Sequence, residues 1–167
     1  GIRIVENNNT YTTNYSITFN DVDVEQGYAC IDAESVSQPI IYYNTTSIHG
    51  DADINQACIS VNACDGALVT CNTMKGNDAS PNSMKGFECN VSDNSYIGCN
   101  GSDSTGIGFF FGGICLYTQM LGDSMNNHDV GLYLNNVAVI DTQTHAGNKW
   151  IGTYGSGYGA VNMNDST

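Results

Sequence analysis

The sequence predicts an all-β protein built as a parallel β-helix, one coil of chain repeated and stacked on itself. Three observations predict it. Apolar segments of about four or five residues recur, split by Asn, Asp or Gly. Equivalent segments return after 20–29 residues, the mark of one repeated supersecondary unit. Helix formers are scarce while Gly, Asn, Ser, Thr and Tyr abound, which suits short strands and many turns. The unit is too short for a four-stranded propeller blade and lacks a leucine-rich signature. It fits a coil of two or three strands, with equivalent strands stacked about 4.8 Å apart.

Two series of segments interleave. The first runs through Tyr28-Ala-Cys-Ile31 and Gln56-Ala-Cys-Ile59, with Cys30 and Cys58 separated by 28 residues. Gly86-Phe-Glu-Cys89, Gly106-Ile-Gly-Phe109 and Gly131-Leu-Tyr-Leu134 continue it. The second runs through Tyr42-Tyr-Asn44, Thr70-Cys-Asn72 and Gly98-Cys-Asn100, each step again 28. Leu116-Tyr-Thr-Gln119 and Val137-Ala-Val-Ile140 extend it less regularly. Stacking places Cys30 over Cys58 and Cys71 over Cys99 as inward columns of small apolar side chains, expected mostly as buried free thiols; the alternative is a vertical disulfide such as Cys71–Cys99, which would strain the ladder geometry. Asn44, Asn72 and Asn100 then form a ladder at a turn, each amide bonding the next coil. Asn suits this place because it tolerates left-handed backbone.

Taken in order, Ile2 and Ile4 alternate with polar neighbours in a short strand, and residues 7–14 are polar. Tyr15-Ser-Ile-Thr-Phe19 and Asp21-Val-Asp-Val24 alternate as half-buried strands do. His49 to Asn55 and Lys75 to Lys85 read as loops inserted between coils, where a solenoid usually carries its binding residues. Residues 142–167 leave the period and hold the single Trp, as a cap or lead-out segment. The 167 residues read as one β-helix domain, taken as a piece of a longer chain.

A formal charge of -13 excludes the cationic surface that nucleic acid requires and opposes docking on anionic membranes. No run is long and apolar enough to insert in a bilayer as a helix, and Gly1-Ile-Arg-Ile4 lacks the order of a signal peptide. Seven Cys is an odd count. The spacing of Cys58, Cys64 and Cys71 has no CxxC pair, so structural zinc is not expected.

Few residues gather as catalytic groups do. Asp21/Asp23 and Asp51/Asp53 are D-x-D pairs whose carboxylates share one strand face about 7 Å apart, near the separation of an inverting glycosidase. A solvated strand face is the preferred reading. His128-Asp129 points to opposite faces of a strand, and the histidines read as satisfied loop residues. No catalytic residue is assigned and no cofactor is expected. The one metal candidate is calcium at Asp51, Asp53 and Asn55, whose oxygens alternate. Tyr42, Tyr43, Tyr117, Tyr133, Tyr154 and Tyr158 are rings on which a glycan could stack if they are exposed; core or turn packing is the alternative. Six N-x-S/T sequons begin at Asn8, Asn14, Asn44, Asn90, Asn100 and Asn164.

At Cys71-Asn-Thr-Met74, Gly106-Ile-Gly-Phe-Phe-Phe-Gly-Gly113, Asn126-Asn-His-Asp-Val-Gly-Leu-Tyr-Leu134 and His145-Ala-Gly-Asn-Lys-Trp-Ile-Gly-Thr-Tyr154 the chain resembles secreted β-helix repeat proteins of the Bacteroidota, cargo of the type IX secretion system. The resemblance spans roughly residues 25–160. It implies a right-handed parallel β-helix, here a solenoid of about five to six coils, at the cell surface or outside the cell. It also implies O-glycosylation at Asp-Ser sites, which makes Ser104, Ser124 and Ser166 candidates. The function expected is a non-enzymatic structural or adhesive surface element. The alternative is a carbohydrate-active β-helix enzyme or glycan-binding module. Expected partners are surface glycans, other surface proteins, the secretion machinery and further copies stacked end to end.

Overall fold

The structure, a computed structural model, describes residues 1–6, 15–49, 55–77, 84–143 and 146–164. It is an all-β parallel solenoid of about five turns, with no helix among the described residues. The chain enters on β1 (Ile2–Val5) and then makes three strands per coil. The first coil is β2 (Ser16–Thr18), β3 (Asp21–Val24) and β4 (Ala29–Glu34). The next is β5 (Ile40–Tyr42), β6 (Thr45–Ile48) and β7 (Gln56–Asn62), followed by β8 (Leu68–Thr70), β9 (Thr73–Lys75) and β10 (Met84–Asn90). Then come β11 (Tyr96–Gly98), β12 (Gly101–Asp103) and β13 (Ile107–Gly112). The last part holds β14 (Ile114–Cys115), β15 (Gln119–Leu121), β16 (Ser124–Leu134), β17 (Val139–Ile140) and β18 (Lys149–Asn162).

Three stacks of parallel strands follow. One is β2-β5-β8-β11-β15. A second is β3-β6-β9-β12, and a third β1-β4-β7-β10-β13; the long β16 joins these two by pairing with β12 through its start and β13 through its end. β18 then pairs in parallel with β16, so residues 149–162 extend the stack by one more coil.

The inward columns are apolar. Ile31, Ile59, Phe87 and Phe109 are paired in successive strands and are fully buried. Phe87 touches Phe109 and Phe111, with centroids 5.7 and 6.2 Å apart. Ile17, Ile41, Val69, Ile97 and Met120 form the equivalent column of the first stack. Alternation is what makes this work, because every second side chain of a strand faces inward.

The register shows where the repeat reading slips. The Tyr42/Thr70/Gly98 alignment is the observed pairing. In the other series the pairing is Lys85 with Ile107 and Phe109 with Leu132, displaced by two residues from the alignment of Gly86, Gly106 and Gly131. The glycines that stack are Gly86, Gly108 and Gly131, continuing the line of Cys30 and Cys58. A Cβ at Gly86 would collide with the Ser102 hydroxyl, and one at Gly108 would meet the Gly131 carbonyl and the His128 ring. Val137 to Ile140 does not continue the second series, since β17 pairs with β14 in a separate two-stranded sheet.

Corners rest on left-handed residues. Phe19, Tyr43, Cys71 and Cys99 have φ of 57, 54, 55 and 59°, and each precedes a ladder residue. Gly122 and Gly147 hold the same place in the last two coils, at 72 and 57°.

This geometry corrects one expectation. Cys71 and Cys99 do stack, but on the outside: Cys71 is half-exposed and Cys99 exposed. A left-handed corner residue turns its side chain out, and the Asn after it turns in.

Candidate functional site

Two arrangements of polar side chains are built by this fold, one inside a corner and one on an outer face.

Inside the corner lies a ladder longer than the three Asn residues that announced it. The amides of Asn20, Asn44 and Asn72 each donate to the Oδ1 of the next rung, over 2.9–3.0 Å. The backbone N–H of each donates to the same oxygen. Each amide of Asn44, Asn72 and Asn100 also donates to a main-chain carbonyl of the coil before: Ile17, Ile41 and Val69. The fifth rung is Asp123, which receives both donors of Asn100 on Oδ1 and gives its own N–H to Asn148. Each buried rung therefore leaves no amide unsatisfied, at about 0.5–1.5 kcal/mol net per hydrogen bond. Asp123 is the exception. Its Oδ2 is buried with no hydrogen bond among the described residues, and burial pushes its carboxyl up to about 6 against the pull of Asn100 and the Leu121 backbone. Asn44 and Asn100 begin two of the sequons. Their buried, engaged amides are closed to glycosylation in the folded chain.

On the outer face of the third stack, one column runs Arg3, Asp32, Ser60, Glu88, Phe110 and Tyr133. Arg3 donates to Asp32 at 3.0 Å and also pairs with Glu34. Lys85 holds Glu88 at 2.8 Å, both side chains about 5% exposed, with its ammonium 4.1 Å from the centroid of the Phe110 ring. The Tyr28 hydroxyl donates to Glu88 at 3.1 Å, and Phe110 stacks on Tyr133 with centroids 5.7 Å apart. Burial raises the Asp32 carboxyl, opposed by Ser60 and Arg3, and burial likewise raises the Tyr28 hydroxyl. Beside this column opens a cleft of about 460 Å³ lined by Arg3, Tyr28, Asp32, Glu34 and Asn62. That volume is in the range of small-ligand sites.

The residues singled out in the sequence are not brought together here. Asp51, Asp53 and Ser166 lie outside the described residues; Asn55 is exposed just before β7. Among the described residues no three His, Cys, Asp or Glu gather as metal ligands. Ser104 is half-buried after β12 and donates to Asp103, and Ser124 is half-buried at the start of β16. Cys30 and Cys58 are buried and donate to the carbonyls of Ser47 and Lys75. Asp21 and Asp23 are exposed on β3, and Asp23 meets His49 at 2.9 Å. His128 is satisfied as expected, by Thr105 and Ser102, but it sits buried within β16 rather than in a loop, and burial lowers its basicity. Lys75 and Lys85 are likewise strand residues.

The rings are also dispersed. Tyr42 and Tyr43 cluster with Phe19 on one corner, and hydrogen bonding with Tyr42 pushes the Tyr43 hydroxyl up to about 12. Tyr117 and Tyr158 stand exposed, and Tyr154 donates to the Met125 carbonyl. The cleft residues Arg3, Tyr28 and Asp32 were missed. Their one sequence signal is the spacing of Arg3 from Asp32, close to one coil.

Comparison with family profiles, with curated proteins and with solved structures found no match to this chain. Function therefore rests on the geometry.

Proposed function

We propose that this solenoid is a non-enzymatic surface element that holds a glycan in the cleft beside Tyr28. The observation that carries the reading is the composition of that cleft: one half-exposed ring, Tyr28, with Arg3, Asp32, Glu34 and Asn62 around it. Carboxylate and amide oxygens accept from sugar hydroxyls, Arg3 and Asn62 donate to ring oxygens, and a tyrosine face covers the apolar face of a pyranose. Two carboxylates against one guanidinium make the cleft acidic, so neutral sugars or amino sugars fit and uronates do not. An adhesive role outside the cell or at its surface belongs to the same reading. It is supported by the acidity of the chain, and export by type IX machinery is supported by the sequence resemblance alone.

Immobilised neutral and amino-sugar polysaccharides test it. Retention is expected for the wild type and lost in Tyr28→Ala and Asn62→Ala, while Phe19→Ala on the far corner is retained. Absence of retention on every neutral and amino-sugar polymer overturns the reading.

One observation favours a second reading, a carbohydrate-active enzyme. Asp32, raised by burial, shares the cleft with Glu34, and two carboxyl groups in different surroundings are the raw material of acid–base hydrolysis. Release of reducing ends from a polysaccharide, abolished by Asp32→Asn, would replace the first reading with this one.

A further inference from the structure

Six of the seven cysteines are arranged as three pairs on successive coils: Cys30 with Cys58, Cys71 with Cys99, and Cys89 with Cys115. Four of these six are fully buried. Cys30 and Cys58 each donate to a carbonyl, and the sulfurs of Cys89 and Cys115 lie 3.8 Å apart inside the core. The Cys71–Cys99 pair differs in position. Both occupy the left-handed corner place, one coil apart. Their main chains are locked in register: Thr70 pairs with Gly98 and Thr73 with Gly101, and the Cys71 N–H donates to the Gly98 carbonyl at 3.0 Å. Both side chains reach the surface.

We propose that Cys71 and Cys99 are an oxidation site that closes into an inter-coil disulfide when the protein meets a small-molecule disulfide. Adjacent parallel strands put equivalent Cα atoms about 4.8 Å apart, inside the roughly 4.4–6.8 Å range of disulfides. Access then selects this pair, because exchange needs an attacking thiolate that an oxidant can reach. The Cys99 thiolate attacks one sulfur of the small disulfide, forming a mixed disulfide and releasing one small thiol. Cys71 loses its proton to water and attacks the Cys99 sulfur, forming the protein disulfide and releasing the second small thiol. The protein loses two hydrogens and the oxidant gains two. The bond would tie two coils across one corner, next to the Asn72–Asn100 rung.

The test is treatment of the folded full chain with glutathione disulfide, followed by alkylation under denaturing conditions and peptide mass mapping. The expected result is a Cys71–Cys99 linked peptide with the other five cysteines alkylated. A thermal midpoint that rises on oxidation and falls back with reductant is expected alongside. Cys71→Ser is expected to trap glutathione on Cys99. Glutathione persisting on wild-type Cys99 with no linkage overturns the proposal, as does linkage of Cys89 to Cys115 in its place. The wild-type map decides even if a variant fails to fold.

Discussion

Asn100 directs its backbone N–H and its side-chain amide to a single oxygen of Asp123, the backbone at 2.8 Å and the amide at 2.9 Å. The rungs before it end in an amide nitrogen that donates to a carbonyl one coil back. Asp123 has Oδ2 in that place, and the residue paired with Val69 and Met120 on the intervening strand is Ile97. Among the described residues an ionised Oδ2 has no donor there; a protonated one can donate as an amide does.

Stability should therefore depend on pH through this rung. The folded carboxyl is raised to about 6, against about 3.9 in an unfolded chain. The folded state binds the proton more tightly, so this contribution is full below about pH 4, declines as pH rises, and is gone above about pH 6. Asp123→Asn should match the wild type near pH 4 and exceed it by about 2–3 kcal/mol at pH 7. Urea unfolding of both proteins from pH 4 to 8 measures the difference directly.

A break in mid-ladder should cost more than one at its end. Asn72→Ala removes the shared acceptor of the Asn44 backbone N–H and amide, and the amide that reaches the Ile41 carbonyl, inside the corner. A loss of about 2–4 kcal/mol is expected. Asn20 is half-exposed and accepts from no earlier rung among the described residues, so Asn20→Ala should cost about 1 kcal/mol or less. Denaturant midpoints of the two variants compare them.

The Lys85–Glu88 pair is a third test. Lys85→Ala leaves Glu88 buried with Tyr28 and Asn90 as its donors among the described residues, and about 3–5 kcal/mol of destabilisation is expected. The double change Lys85→Met with Glu88→Leu should recover most of that loss, since a well-packed apolar pair replaces a desolvated ionic one. A double-mutant cycle by chemical unfolding gives the coupling.

How far the molecule was legible in its sequence follows from where its period is constant. Asn44, Asn72 and Asn100 stand 28 residues apart and show themselves as a ladder. Asp123 follows after only 23 and changes residue type, so neither spacing nor identity flags it. The Gly122-Asp123 and Gly147-Asn148 pairs, each echoing Cys71-Asn72, are the signal that remained. In the other series a repeated Gly before an apolar residue pulled the alignment off by two. The stacking glycines, Gly86, Gly108 and Gly131, are instead set by collisions with Ser102, His128 and a neighbouring backbone. The cleft was hidden for a different reason. Arg3, Tyr28 and Asn62 come from three coils, and nothing local distinguishes an outward polar residue that lines a cleft from one that is merely solvated.

Left-handed corners supply a fourth test. Ala63 is exposed with φ of 50°, a conformation that costs an L-residue about 1–2 kcal/mol. Ala63→Gly relieves that cost but adds about 0.5–1 kcal/mol of unfolded-state entropy. A net gain of about 0.5–1 kcal/mol is expected, read as a higher thermal midpoint.

The corner place before each rung carries Phe19, Tyr43, Cys71, Cys99, Gly122 and Gly147 in turn, two aromatic residues, two thiols and two glycines that share one backbone angle. The shape of the corner is held by the residue that follows, so the outward side chain is nearly free of structural duty. This edge of the molecule works as a tape with a mark every 4.8 Å or so, whose letters can be rewritten while the tape keeps its form. A lineage, or a designer, could place aromatic, thiol or charged groups at chosen marks and obtain a straight array of known pitch, with the cost of each change confined to one exposed residue.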